Sequence, residues 1–174
     1  MILRRLVSCF ALALLVTAPL VSAETLDLTN AKSNAAATVL VARFFESLGL
    51  DVNNKDEVQF GLRFGGYGLV LTPIVSAENG GKLNAYINYT SNNPANLENP
   101  KLLSLVNEIN LKYNYVSAYV DQDGDLCFRY VLVFDKQLEP KLVQRWLKQI
   151  EVQTNAIRAE YGAKLKPFLA KKEK

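Results

Sequence analysis

The stretch from Leu102 to Asp135 constrains this chain most, because its hydrophobic period changes once and cleanly. In LLSLVNEINLKYNY, residues Leu102, Val106, Ile109 and Tyr113 fall at i, i+4, i+7 and i+11, one apolar stripe of a helix. Asn99-Pro100 is a good start for it: the Asn side chain accepts from free backbone N–H groups, and Pro at the first helical position loses no useful donor. The next run, VSAYV-DQDGD-LCFRYVLVFD, has period two and reads as a hairpin. A three-residue loop with Gly124 left-handed pairs Asp121 with Asp125 and sets Ala118 opposite Phe128. Val116, Ala118 and Val120 then share a face with Leu126, Phe128 and Tyr130. Tyr115, Ser117, Tyr119, Cys127 and Arg129 share the other. A two-residue loop on Asp123-Gly124 shifts the pairing by one and mixes these faces.

Two polar features within this stretch have competing readings. Asn107 and Asn110 sit three apart on the helix, so they lie near one face. Asn is a mediocre helix former, and its place mid-helix implies a side chain bonded to something, either neighbouring backbone or a polar ligand. DQDGD looks like the start of a calcium loop. However, an EF-hand needs Gly sixth and a bidentate Glu twelfth, whereas here Gly is fourth from Asp121 and Leu132 twelfth.

The N-terminus reads as an address. Arg4-Arg5, an uncharged and mostly apolar run from Leu6 to Val21, and the small-residue site Val21-Ser22-Ala23 make residues 1–23 a secretory signal peptide, cut between Ala23 and Glu24. The rival is an uncleaved anchor, but the run is short for a span and the Ala site favours removal. The expected location is therefore the periplasm, with no stable membrane insertion after cleavage. Losing Arg4 and Arg5, with no acid in that segment, takes the formal net charge from +3 to +1. A near-neutral exported chain is a poor nucleic-acid binder. Cys9 leaves with the signal, so Cys127 is left alone and no internal disulfide can form. There is no histidine, which removes the usual near-neutral base and the usual zinc ligand.

The rest of the chain is one domain. Thr29 to Leu48 reads as a helix with a stripe of Ala37, Leu40, Val41, Phe44, Phe45 and Leu48, stopped by Gly49. A strand from Val58 to Phe64, a turn at Gly65-Gly66, a strand from Tyr67 to Val75, a turn at Asn79-Gly80-Gly81 and a strand carrying Leu83, Ala85, Ile87 and Tyr89 follow. Pro73 implies a sheet edge or a bulge. Gly65-Gly66-Tyr67-Gly68 lacks the Lys and Ser/Thr of a phosphate loop and opens no helix. A last helix runs from about Glu139-Pro140 to Tyr161, with Leu142, Trp146, Ile150, Ile157 and Tyr161 as its stripe. Residues 163–174 are Lys-rich and read as a solvated tail. The order is α-β-β-β-α-β-β-α: a single α+β domain over residues 24–162, an antiparallel sheet with packed helices.

This chain resembles the YbjN domain family, bacterial proteins described as sensory transduction regulators and related in fold to type III secretion chaperones. The resemblance rests on Leu105, Asn107 and Asn110 in SLVNEIN, on Ala118, Asp121, Asp123 and Gly124 in AYVDQDG, on FFESLGL before the first strand, and on the final helix with its Trp. It covers roughly Ala36 to Gly162. The family often has an aromatic where this chain has Ile109. The resemblance implies a non-enzymatic protein with a chaperone-like fold, binding polypeptide segments, often as a dimer, and needing no cofactor. The resemblance supplies no binding residues; the hairpin face and the helix Asn pair give those expected to meet a partner, Tyr115, Tyr119, Arg129, Asn107 and Asn110.

Other function classes stay in view. A small-molecule or lipid-binding protein would use the apolar interior of the sheet. An enzyme would have to work with Asp121, Asp123 and Asp125 without His, and three acids in a turn more simply bond its own backbone. An anchored structural protein would need the signal retained.

Overall fold

The computed structural model describes residues 24–76, 80–91 and 93–170. The signal peptide, Asn79 of the second turn and the last four residues of the Lys-rich end lie outside the described residues. Among the described residues no helix is long and apolar enough to cross a membrane.

The elements run β1 (Leu26–Asp27), α1 (Asn34–Ser47), β2 (Asp51–Asn53), β3 (Phe60–Phe64), β4 (Tyr67–Ser76), β5 (Gly80–Tyr89), a 3-10 turn (Pro94–Glu98), α2 (Pro100–Lys112), β6 (Ser117–Val120), β7 (Leu126–Phe134), β8 (Gln137–Leu138), α3 (Pro140–Leu165) and a closing 3-10 turn (Lys166–Phe168). Six strands form an antiparallel sheet in the order β2-β3-β4-β5-β7-β6, and β1 pairs with β8 apart from it. The chain is thus the α+β fold expected, with helices and strands in the expected order and three short strands added.

The hairpin register is the one parity dictates. Asp121 N–H donates to Asp125 O at 3.0 Å, Gly124 has φ +82°, and Ala118 faces Phe128. Pro73 sits where an edge allows it: β3 begins at Phe60, opposite Leu71, so its pairing with β4 stops two residues short of Pro73. Just beyond, Asn34 Oδ1 takes the Val75 N–H at 3.0 Å, so α1 closes that end of the strand.

Several boundaries differ from the expectation, each for a local reason. Helix α1 starts at Asn34, not Thr29. Asp27 Oδ1 holds the Thr29 N–H in a turn, and Ser33 caps Ala36 N–H. Strand β3 starts at Phe60, not Val58. Asp56 Oδ1 takes the N–H groups of both Val58 and Gln59, and Val58 is 60% exposed. Helix α3 continues past Tyr161 to Leu165, which is buried. The segment read as a tail from residue 163 is docked as far as Ala170: Phe168 O accepts from Asn96 Nδ2 at 2.9 Å, and Ala170 N–H donates to Thr90 O at 2.8 Å.

The helices pack on the face that carries Phe60, Leu71, Leu83, Phe128 and Tyr130. Phe45 of α1 meets Phe60 edge to face at 5.5 Å. Tyr130 and Thr154 of α3 share a buried hydrogen bond of 2.8 Å, and Tyr67 donates to Asn155 Oδ1 at 2.7 Å. Leu102, Val106 and Ile109 bring α2 into the same core, and Trp146 is core as its place on the stripe implies. The opposite face carries Tyr86, Arg129, Val131 and Val133.

A candidate polypeptide-binding edge

The expected partner-contact residues separate into two groups. Tyr119 and Arg129 stand on the open face of the sheet: Tyr119 pairs with Cys127, and Arg129 pairs with Ser117 on one side and Tyr86 on the other. Both are exposed. Tyr115 precedes β6, is 64% exposed, and stands at the sheet margin. Asn110 does something else. Its amide bonds both main-chain groups of Ala118, so it holds backbone as the first of its two readings has it. Asn107 is exposed and makes no side-chain hydrogen bond among the described residues.

The electrostatics of the open face follow from packing. Burial, with Cys127 and Tyr86 nearby, pushes the Tyr119 phenol up to about 12, and Arg129 offsets this in part. Burial and the Asp121 carboxylate push the Cys127 thiol up to about 12 as well. Its Sγ lies 3.4 Å from Asp121 Oδ2, so at neutral pH it is a buried, protonated hydrogen-bond donor. The acids of DQDGD hold their own turn. Asp121 Oδ1 accepts from the N–H groups of Asp123 and Asp125, and Asp125 Oδ1 accepts from Ser91 N–H. Among the described residues no group of three His, Cys, Asp or Glu side chains is placed to hold a metal.

The feature that sequence reading missed is an edge. Strand β6 stops pairing at Ser117 opposite Arg129, while β7 continues to Phe134. Antiparallel bonding alternates along a strand, and Asp125, Cys127 and Arg129 point their main-chain groups toward β6. By the same alternation Val131 and Val133 point theirs to the side that β6 leaves empty. Val133 is 72% exposed and Val131 42%. Beside this edge a groove of about 310 Å³ runs to α3, with Tyr115, Leu142, Trp146 and Arg145 among its walls. Among the described residues Arg145 has no ion pair; its Nε contacts only Lys141 O, at 3.4 Å. The one available sequence signal was Tyr115 beside a run of alternating Val. Where β6 ends, which decides the matter, depends on the turn at Asn114-Tyr115.

Comparison with known proteins agrees with this architecture. The family model for YbjN, "putative bacterial sensory transduction regulator", matches residues 38–161. The family's description is of a regulator, not of an enzyme. A solved structure, that of YbjN from E. coli, described as a putative transcription regulator, superposes with a TM-score of 0.53 at 16% identity. The match covers 75% of this chain and 93% of that one, and at this identity it speaks to the fold alone. No curated protein matches. The family match spans well over half of the chain, and the protein belongs to the YbjN family.

Proposed function

We propose that this protein is an exported, non-enzymatic regulatory module that takes up an extended polypeptide segment along the free edge of β7, beside Tyr115, Tyr119 and Arg129. The observation that carries this reading is the unpaired edge at Val131 and Val133 next to a groove floored by Trp146. A strand laid there gains main-chain hydrogen bonds, while alternate side chains enter the groove or lie on the open face. Arg145 and Arg129 favour an acidic residue in that segment. The periplasm is the proposed location, from the signal peptide. The same edge serves a homodimer if the added strand is β7 of a second copy. The near-neutral exported chain speaks against nucleic acid.

The test places a photo-crosslinking residue at Tyr115, Tyr119 or Val152 in living cells. Val152 is an exposed position on α3 and serves as control. The expected result is one recurring polypeptide adduct from Tyr115 and Tyr119, absent from Val152, and lost when Val133→Pro removes the N–H aimed at the open side. Equal labelling from all three positions, or labelling that survives Val133→Pro, would sink the edge reading.

A further inference from the structure

A second cavity lies on the same helix-packed face at its other end, between the C-terminal turns of α3 and the ends of β5 and β7. It measures about 740 Å³, within the ~300–1,000 Å³ that small-ligand sites span. Its walls are mostly apolar, with Leu126 and Phe128 from the sheet and Ile157 and Leu165 from α3. The docked C-terminal segment closes one side through Pro167 and Leu169.

The polar groups here are few and of one kind. The Tyr89 hydroxyl oxygen is buried and has no hydrogen-bond partner among the described residues. Burial pushes this phenol up to about 12, so it stays a neutral donor. It lies close enough to Arg158 to feel that charge. Arg158 is exposed, its guanidinium 3.4 Å from Tyr67 Oη and 5.6 Å from the centre of that ring. Lys166, also exposed, lines the same cavity and has no ion pair among the described residues. No Asp or Glu is among the described lining residues. A buried hydroxyl without a protein partner is satisfied by a water or by a ligand group, and a ligand reaches this one where the Tyr89 ring turns toward the cavity it lines.

We infer that this cavity binds a single-chain amphipathic anion, its hydrocarbon chain against Phe128, Ile157 and Leu165 and its head group held by Tyr89, Arg158 and Lys166. The chemistry fits a carboxylate or a phosphate monoester head alike: both accept from a phenol O–H and both suit two cations. The site is separate from the β7 edge and stands whether or not a polypeptide binds there.

The experiment is isothermal titration of the purified protein with decanoate, decyl phosphate, decanol and decylammonium, each below its micelle concentration. One-to-one binding of decanoate or decyl phosphate at least tenfold tighter than decanol, with decylammonium weakest, is the expected result. Stronger binding of one anion over the other assigns the head group. Gly162→Phe adds a ring at the cavity lining, where a Cβ meets nothing within 4 Å; the expected result is lost binding with a cooperative melt, which checks that the fold is kept. Tyr89→Phe, one oxygen smaller, raises the melting temperature of the free protein and weakens the anion at least fivefold; Lys166→Glu weakens it similarly. Absence of saturable anion binding, equal affinity for all four head groups, or unimpaired binding by both Gly162→Phe and Tyr89→Phe overturns the assignment.

Discussion

Asn110 holds Ala118 by both of its main-chain groups: Nδ2 donates to the Ala118 carbonyl at 2.9 Å, and Oδ1 accepts from the Ala118 N–H at 2.7 Å. A side-chain amide thereby does what a seventh strand would do for the outer edge of β6. An unpaired edge is a template for association, and here α2 closes it at its centre. The free stretch of β7, one strand inward, has no such cover among the described residues.

Asn110→Ala should therefore cost more than an exposed helix position usually does. Two bonds are lost and the Ala118 groups turn to water or to another chain. A loss of about 1–3 kcal/mol is expected, read as a lower urea midpoint with unchanged slope. Asn110→Asp keeps the acceptor and loses the donor, so it should fall between the two. A variant as stable as the parent would mean that the amide is ornamental.

Alkaline stability carries the signature of the hydroxyls and the thiol that folding desolvates. Burial pushes Tyr89, Tyr119 and Tyr130 up to about 12 from 10.0, and Cys127 up to about 12 from 9.0. The folded state thus holds these protons more tightly than the unfolded chain. Their contribution is complete below about pH 9 and is lost as pH rises toward about 12. The urea midpoint should fall across that window, with tyrosinate absorbance rising together with unfolding. Tyr130→Phe should flatten the fall. It should also lower neutral-pH stability by about 1–3 kcal/mol, because Thr154 loses its buried partner.

Tyr115 and Tyr119 should separate contact from stability. Tyr115 is mostly solvent-exposed, so Tyr115→Ala should change stability by less than about 0.5 kcal/mol. Tyr119 leans on Cys127 across the hairpin, so Tyr119→Ala should cost somewhat more. The double variant should lose the partner adduct while retaining a cooperative melt. If it instead keeps every adduct and loses its fold, the two rings are packing groups.

How far the fold could be read in advance depended on whether the information was local. The register of β6 on β7 was legible because DQDGD fixes the parity of every later pair. The pairing of β5 with β7 was not, because α2 lies between them in the chain and no residue marks the partner. Strand β2 has three residues, too few to show a period, and β1 and β8 have two each. For the site, parity placed Tyr119 and Arg129 on one face, as found. The type of Asn110's bond was legible from Asn in mid-helix, but Ala118 as its partner was not. The free edge at Val133 and the orphaned hydroxyl of Tyr89 are facts of tertiary packing and leave no trace in a sequence window.

Gly124 gives the sharpest test of why the DQDG motif has these residues. Its φ of +82° already disfavours any side chain, and a Cβ there would lie 2.0 Å from Asn93 O, a backbone atom that cannot swing aside. The close approach has a purpose visible in the bonds around it. Gly124 O accepts from Ser91 Oγ at 2.7 Å and from Asn96 Nδ2 at 3.3 Å, and Asp125 Oδ1 takes Ser91 N–H at 2.8 Å. Asn96 also reaches Phe168 O, so the hairpin tip, the loop before α2 and the C-terminal segment meet at one buried amide. Gly124→Ala should force all three apart and cost more than about 3 kcal/mol, among the largest effects of any single substitution here. Asn96→Ala, which breaks the same junction without backbone strain, should cost about 1–3 kcal/mol and loosen residues 166–170. Hydrogen exchange at Ala170, whose N–H donates to Thr90 O, reads this directly. Protection there that survives both substitutions would show that the junction does not hold the C-terminal segment.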